Sequence, residues 1–437
     1  MTLEMFFKSL DRRTVLKILS FTGVSGLVYP RKLLADHFFL DPVPIVAVED
    51  DSATNGYNIN VDTVEVMLNA GITALTNQPD PGEAWKSLFP GITTSSIIAL
   101  KVNTLFSSMP THPEVTYALC EGLKLMQIEG EPFPENNIII YDESSYRLSQ
   151  GGYTLNSSGV GIRCFGTNQV GYSSDIYQVA GSNQRISRII TETADYLVNI
   201  SVLKNHSMAG VTLSLKNHYG TCNAPSNLHA NYCDPYIPAL NALPVINDIK
   251  CLSIIDALFG IRSGGPGGYP QFTTNKIIMS EDIVAGDYVG RQLLADNGCN
   301  TIGQATHIDT GAIDYGLGTN DPDQMDIINI INPTTAIDDQ NPVSPNAFQL
   351  RQNFPNPFNL RTQIRFYVPD AAETSLQIFN IQGQSVRKLV TGSLQSGWHN
   401  VAWDGKNDFG KAVSSGVYLC QMQAADFKKS IILQLIK

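Results

Sequence analysis

Lys101, Lys204, His206 and Lys216 are four basic side chains set at or just beyond the ends of apolar runs. Burying an ammonium group in apolar surroundings is costly unless an anion goes with it. Two answers are open. Acidic residues such as Asp142, Asp195, Asp256 and Asp287 neutralise the cations internally, or a ligand phosphate or carboxylate does, and lysine suits phosphate as a point charge. Asn103 and Asn217 lie beside these cations and Asp256 follows another apolar run, which completes a candidate ligand-binding set; the two asparagines also suit plain capping of strands or turns. Lys204 and Lys216 flank a turn at Met208-Ala209-Gly210, and two segments joined there bring both ammonium groups and the His206 ring to one mouth.

A second constellation is His218-x3-Cys222 and His229-x3-Cys233, with His206 upstream. Two His/Cys pairs supply the donors of an N2S2 tetrahedron for zinc or another borderline metal. Gly220, Pro225 and the surrounding asparagines say loop, where this spacing has no fixed geometry. A Cys222–Cys233 disulfide and a set of unrelated residues are the competing readings. Seven cysteines are too few for a disulfide scaffold, and the odd count leaves at least one thiol unpaired within the chain. No C-x-x-C occurs, so a ferredoxin-type iron–sulfur cluster is not expected. Gly264-Gly265-Pro266-Gly267-Gly268 matches neither a dinucleotide-binding nor a P-loop fingerprint and reads as a flexible rim of a cleft. Residues 320–326 are acidic but lack the glycine and terminal Glu of an EF-hand, so a solvated loop is expected. No G-x-S-x-G or H-E-x-x-H motif is present.

These side chains need elements to hold them. Pro44–Val48, Ser96–Val102, Asn137–Tyr141, Tyr196–Val202, Cys251–Ala257 and Lys276–Ser280 are continuous apolar, β-rich runs. Asp62–Ala70, Pro113–Ile128, Ile186–Thr193, Ala239–Ile249 and Ala285–Asn297 carry helical spacing. Buried strands alternating with helices predict an α/β fold, a mainly parallel or mixed sheet covered by helices. Ligands of such sheets bind at the carboxyl ends of the strands, where the polar residues above fall. The chain has 437 residues, more than one compact core usually holds, so two folded units are expected. A net charge of −11 argues against nucleic acid and anionic membrane as partners, since both need a basic face.

From about residue 336 the composition changes to a polar, proline-bearing linker, 336–347. Beyond it, Thr362–Val368, Ser375–Asn380, Ser385–Leu389, His399–Trp403, Gly416–Gln421 and Ser430–Leu435 alternate between turns at Gly383, Gly392, Gly397 and Asp404-Gly405. Such spacing predicts a small all-β, Ig-like sandwich over 348–437. Gln352-Asn353-Phe354-Pro355-Asn356-Pro357-Phe358-Asn359, Ile378 to Gln384, Gly397-Trp398-His399, Trp403-Asp404-Gly405 and Ser415-Gly416-Val417-Tyr418 resemble, in order, the type A C-terminal sorting domain of type IX secretion substrates. That resemblance implies the type IX secretion machinery as a partner.

At the other end, Arg12-Arg13 stand before Val15-Leu16-Lys17 and an apolar run from Ile18 to Val28. The run is roughly half of the ~20 residues needed to span a bilayer, so 1–35 reads as a signal peptide and the mature chain has no expected transmembrane segment. The paired arginines resemble a twin-arginine signal, which implies the twin-arginine export machinery and a chain folded before export. The expected location is the cell surface or the extracellular space, by way of the periplasm.

Between these addresses, Ala194 to His206 and Gly210 to Gly220 resemble the domain-of-unknown-function 362 (DUF362) family. Lys101-Val102-Asn103, Ile255-Asp256-Ala257, Gly264-Gly265-Pro266, Asp282 to Asp287 and Tyr315 to Gly318 add to the match, which spans most of 36–335. The resemblance implies little mechanism. Three expectations stand: an exported enzyme acting on an anionic substrate or carrying a cofactor loaded before export, a non-catalytic ligand-binding module, and an extracellular structural or assembly subunit.

Overall fold

The computed structural model describes residues 42–157, 159–333, 348–350, 353, 358, 361–425 and 427–436. Arg12, Arg13, the linker and most of the Phe354–Asn359 block lie outside them. The chain divides into two compact units, one holding residues to Gly151 with Phe165–Pro333, the other holding Gly152–Cys164 with the carboxy-terminal residues.

The first unit is built on a mixed sheet. Its main strands are β1 (Val43–Glu49), β2 (Ile98–Lys101), β3 (Ile138–Tyr141), β4 (Tyr196–His206), β5 (Gly210–Val211), β6 (Lys250–Ile261), β7 (Phe272–Ser280) and β8 (Met325–Ile331). The order is β8-β1-β7-β6-β4-β2-β3, with β5 paired to the end of β4. All neighbours in that path run parallel except β7, which is antiparallel to both β6 and β1. Every residue of β2, β3 and β6 is buried, which is why these strands read as largely apolar runs.

Helices cover the sheet. The α1 helix (Val61–Thr76) starts where the Asn60 side chain accepts from the Thr63 amide and turns Val64, Met67, Leu68, Ile72 and Leu75 inward. The α2 helix (Pro81–Ser87) and α3 (Pro113–Leu123) begin with proline, whose missing N–H is one a first turn leaves unused. Beyond two short helices, Ser145–Gln150 and Thr167–Val170, the chain forms α4 (Leu213–Asn217), α5 (Tyr236–Asn241), α6 (Ile283–Asp296), capped by Asp282 on two amides at 3.0 Å, and α7 (His307–Ile313).

Three details differ from the sequence reading. The helix expected over Ala239–Ile249 is broken at Pro244, because proline lacks a donor and pushes Leu243 out of the helical region. Ile186–Thr193 yields a single π turn, Ile189–Thr193. The edge strand β8 forms where no strand was expected, its first residues Met325 and Asp326 lying in the stretch read as a solvated loop, and adds to β1 in parallel.

In the second unit, β9 (Thr362–Val368) and β12 (Gly397–Trp403) join Gln349–Leu350 in one sheet. A second sheet holds β11 (Ser385–Leu394), β10 (Ala372–Asn380), β13 (Gly416–Ala424) and β14 (Phe427–Leu435), in that order. Phe358, Phe366, Leu376, Ile378, Trp403, Cys420 and Leu433 fill its core. This is the small all-β, Ig-like fold expected from the alternation. No helix among the described residues is long and apolar enough to cross a membrane.

Candidate ligand site

The β4 strand lies parallel between β2 and β6, so Lys101, Asp142, Lys204 and His206 all fall at the carboxyl ends of adjacent strands. Gly210, at φ 79°, closes the turn after β4, and the hairpin pairs Asn205 with Val211 and His206 with Gly210. The chain then enters α4, whose first turn is fixed by buried Asp287: its two carboxylate oxygens accept from the Ser214 and Leu215 amides, each at 2.8 Å. Burial pushes the Asp287 carboxyl up to about 7.

Asn217 ties α4 to β4 and to the end of β2. Its amide nitrogen donates to Asn199 Oδ1 (2.7 Å), the Ile200 carbonyl (3.2 Å) and the Lys101 carbonyl (3.3 Å), while its oxygen accepts from Asn103 Nδ2 (3.2 Å) and Lys101 Nζ (3.4 Å). Lys101, 1% exposed, donates to Asp142 Oδ1 at 2.8 Å and to the Val102 carbonyl at 2.6 Å. The other Asp142 oxygen accepts from the Thr104 amide and hydroxyl. Lys101 is therefore half of an internal ion pair. Gly220 presses against this pair, since a Cβ there would lie 2.3 Å from Asp142 Oδ1.

Lys204 is equally buried, but among the described residues its acceptors are neutral, Asn103 Oδ1 at 2.9 Å and the Met109 carbonyl at 3.0 Å. Burial lowers its ammonium to about 7, against the more remote pull of Asp142 and Asp256. Asp195 lies apart from this group and accepts from the Ile97 amide.

Lys216 precedes Asn217 in α4 yet serves a different group. Its Nζ is 3.5 Å from the centre of the Tyr219 ring and 3.5 Å from His229 Nε2, and no carboxylate pairs with it among the described residues. Burial lowers Lys216 to about 8. His206 stacks on His229 at 6.0 Å. Burial, then the Lys216 charge and His229, take His206 down to about 3, so the ring is neutral. Its Nδ1 accepts from the Met208 and Ala209 amides at 3.1 Å, which leaves the hydrogen on Nε2. His229 has the opposite tautomer: Nδ1 lies 2.9 Å from the Pro225 carbonyl, which can only accept, so Nε2 turns its lone pair to Lys216. His307 is fully buried with neither ring nitrogen hydrogen-bonded, and burial and the Lys216 charge hold it neutral.

Asp256 is held by a histidine the sequence reading did not single out. The His112 amide and ring Nδ1 both reach Asp256 Oδ2, at 2.9 and 2.7 Å. Burial lowers the His112 pKa, but the Asp256 charge and hydrogen bond outweigh it and the ring sits above its ordinary value. The only signal in the sequence was a histidine directly before a helix-starting proline, a short loop after β2.

The expected metal set does not assemble. His218 turns to Thr221 with its Nε2 buried and unbonded, while the Nδ1 atoms of His206 and His229 are taken by backbone groups. Cys222 donates to the Tyr219 carbonyl at 3.6 Å, and burial pushes its thiol up to about 12; Cys233 is a second buried thiol, also raised. Neither joins a disulfide. Among the described residues no three His, Cys, Asp or Glu side chains are grouped to hold a metal ion. The glycine-rich segment, expected as a flexible rim, is pinned: the Gly265 amide donates to Asn205 Oδ1, and Ser108 donates to the Gly267 and Gly268 carbonyls.

Residues 98–292, from the start of β2 into α6, match the family described as domain of unknown function DUF362. This stretch is a DUF362 domain. It contains Lys101, Asn103, His112, Lys204, His206, Lys216, Asn217, Asp256 and Asp287. Residues 359–427 match the FlgD Ig-like domain. Among solved structures, dimeric latent PorU from Porphyromonas gingivalis is 16% identical over 21% of this chain and 9% of its own, with a TM-score of 0.18. PorZ of the same organism, a surface component of the type IX secretion system, is 23% identical over 20% of this chain and 11% of its own, at 0.16. A protein from Thermotoga maritima is 12% identical over 55% of this chain and 59% of its own, at 0.34. No curated protein matches the chain.

Proposed function

We propose that this is an exported protein whose DUF362 domain binds a small anionic ligand at the carboxyl ends of its central parallel strands. The observation that carries the reading is Lys216. It is a buried ammonium with no carboxylate partner among the described residues, set among three neutral imidazoles, and a buried cation in that state calls for an anion. Lys204, bonded only to neutral oxygens, is a second cation available to the same ligand. Lys101 is not, because Asp142 already neutralises it.

Calorimetry on the full chain with inorganic phosphate and with lactate tests this. One charge-assisted contact is worth roughly 1.5–3 kcal/mol, so Lys216→Met should weaken binding by about ten- to a hundredfold. Affinity unchanged by that substitution overturns the reading.

The addresses at the two ends support export through the twin-arginine machinery, followed by type IX secretion to the cell surface or medium. Replacement of Arg12-Arg13 by Lys-Lys should retain the chain in the cytoplasm. The secreted form should have lost residues 1–35, and intact mass reads this directly. Secretion undiminished in a strain without twin-arginine transport overturns that route. The His112–Asp256 pair favours an enzyme over a passive binding module. A carboxylate that orients one ring nitrogen leaves the other to exchange protons, which is the arrangement of a general acid or base.

A further inference from the structure

We propose that Lys216 forms an imine with the carbonyl group of a small oxo acid. The inference rests on the anionic-ligand reading and names the ligand's class: a carboxylate for the cationic site and a carbonyl for the amine.

An imine-forming lysine needs an unpaired amine, a group to remove its proton and a donor for the carbonyl oxygen. The site holds all three. Among the described residues no carboxylate fixes Lys216 as an ammonium. His229, its Nδ1 hydrogen committed to the Pro225 carbonyl, presents the Nε2 lone pair to Lys216 Nζ at 3.5 Å. His206, its Nδ1 occupied by two backbone amides, presents an N–H at Nε2. The Tyr219 ring and the buried His307 give the amine apolar, neutral surroundings. Burial adds to this by lowering the ammonium to about 8. The group is not sealed, for Lys216 keeps 6% and His206 7% exposure, and Met208, two residues after His206, and Tyr232, three after His229, are exposed.

The chemistry balances without an oxidant or reductant. His229 takes a proton from the Lys216 ammonium. The freed Nζ lone pair adds to the carbonyl carbon, and the C=O π pair moves to oxygen, which accepts the His206 Nε2 hydrogen. The tetracoordinate nitrogen then returns one of its two protons to His206, which restores that N–H and frees a lone pair on nitrogen. The hydroxyl takes the proton held by His229 and leaves as water while the nitrogen lone pair forms C=N, the last N–H staying on the iminium. Of the three ammonium hydrogens, two leave in water, counted over the imidazoles restored.

The test uses the full chain with pyruvate and cyanoborohydride, which reduces iminium to a stable secondary amine. Intact mass and peptide mapping should place one carboxyethyl group on Lys216 of the wild-type chain, at a rate far above that of surface lysines. The adduct should vanish in Lys216→Arg and form roughly a hundredfold more slowly in His229→Gln, the usual scale of a lost proton acceptor. Mapping on the wild-type chain decides the matter even where a variant fails to fold. An adduct spread over exposed lysines, or none at all, overturns the proposal. Lactate, which has the carboxylate but no carbonyl, separates the two readings: lactate binding without a pyruvate adduct overturns the imine and keeps the anion site, whereas failure of both overturns both.

Discussion

His112 grips Asp256 twice through one oxygen, with its backbone amide at 2.9 Å and its ring Nδ1 at 2.7 Å. Main chain and side chain thus orient the same carboxylate, and the ring turns edge-on to Phe259. Glu114 adds to the pull of Asp256, while burial and Lys204 oppose it. In Asp256→Asn the opposing influences remain, so the His112 pKa should drop from above its ordinary 6.5 to below it, as read by NMR titration of the ring. The raised folded value means that His112 adds stability fully below pH 6.5, lost as pH rises through the folded pKa. A His112 titration unmoved by the substitution would show that the pair is not electrostatically coupled.

Lys101 and Lys216 are predicted to respond in opposite ways to the same replacement. Lys101→Met strands the buried Asp142 carboxylate and should cost roughly 3–5 kcal/mol in urea unfolding. The double replacement Lys101→Met with Asp142→Asn should recover a large part of that loss.

Lys216→Met removes a buried ammonium with no carboxylate to strand, so it should leave stability unchanged or raised near pH 7. The sign follows from proton counting. Between about 8, the folded value, and 10.5, the unfolded one, the unfolded chain holds the extra proton, so wild-type stability rises with pH across that window. The advantage of the variant should therefore fade above pH 8. Chemical denaturation at several pH values checks both halves.

Gly220→Ala tests the close approach of the backbone to the Lys101–Asp142 pair. A Cβ would stand 2.3 Å from Asp142 Oδ1 and 2.9 Å from Lys101 Nζ, and both atoms are held by other bonds. Overpacking of this kind costs typically 1–3 kcal/mol. A melting temperature equal to that of the wild type would show that the pair moves aside freely.

The central strands were legible because strands buried on both faces leave largely apolar runs, as in Ile138–Tyr141 and, broken only by Ser253 and Asp256, residues 251–261. The hairpin between Lys204 and Lys216 was legible from Gly210, which alone among its neighbours accepts φ 79°. Strand β8 was not, because its partly exposed pattern and polar flanks look like loop until β1 supplies a partner. The division of labour among the cations was hidden for another reason. Lys101 and Asp142 lie 41 positions apart, and so nothing local tells that pair from Lys216, which has none. The His/Cys spacing suggested a cage, whereas backbone acceptors and donors three or four residues away claimed the ring nitrogens first.

Burial of the cysteines has a consequence for how the chain records its own history. Cys222 and Cys420 are buried thiols pushed up to about 12, so in the native state neither presents a thiolate to an oxidant or an alkylating reagent. Any excursion that opens the structure exposes them, and the covalent mark outlasts refolding. Cys222 belongs to the first compact unit and Cys420 to the second, so each unit carries its own ledger of opening. Outside a reducing cytoplasm, those marks would accumulate with age.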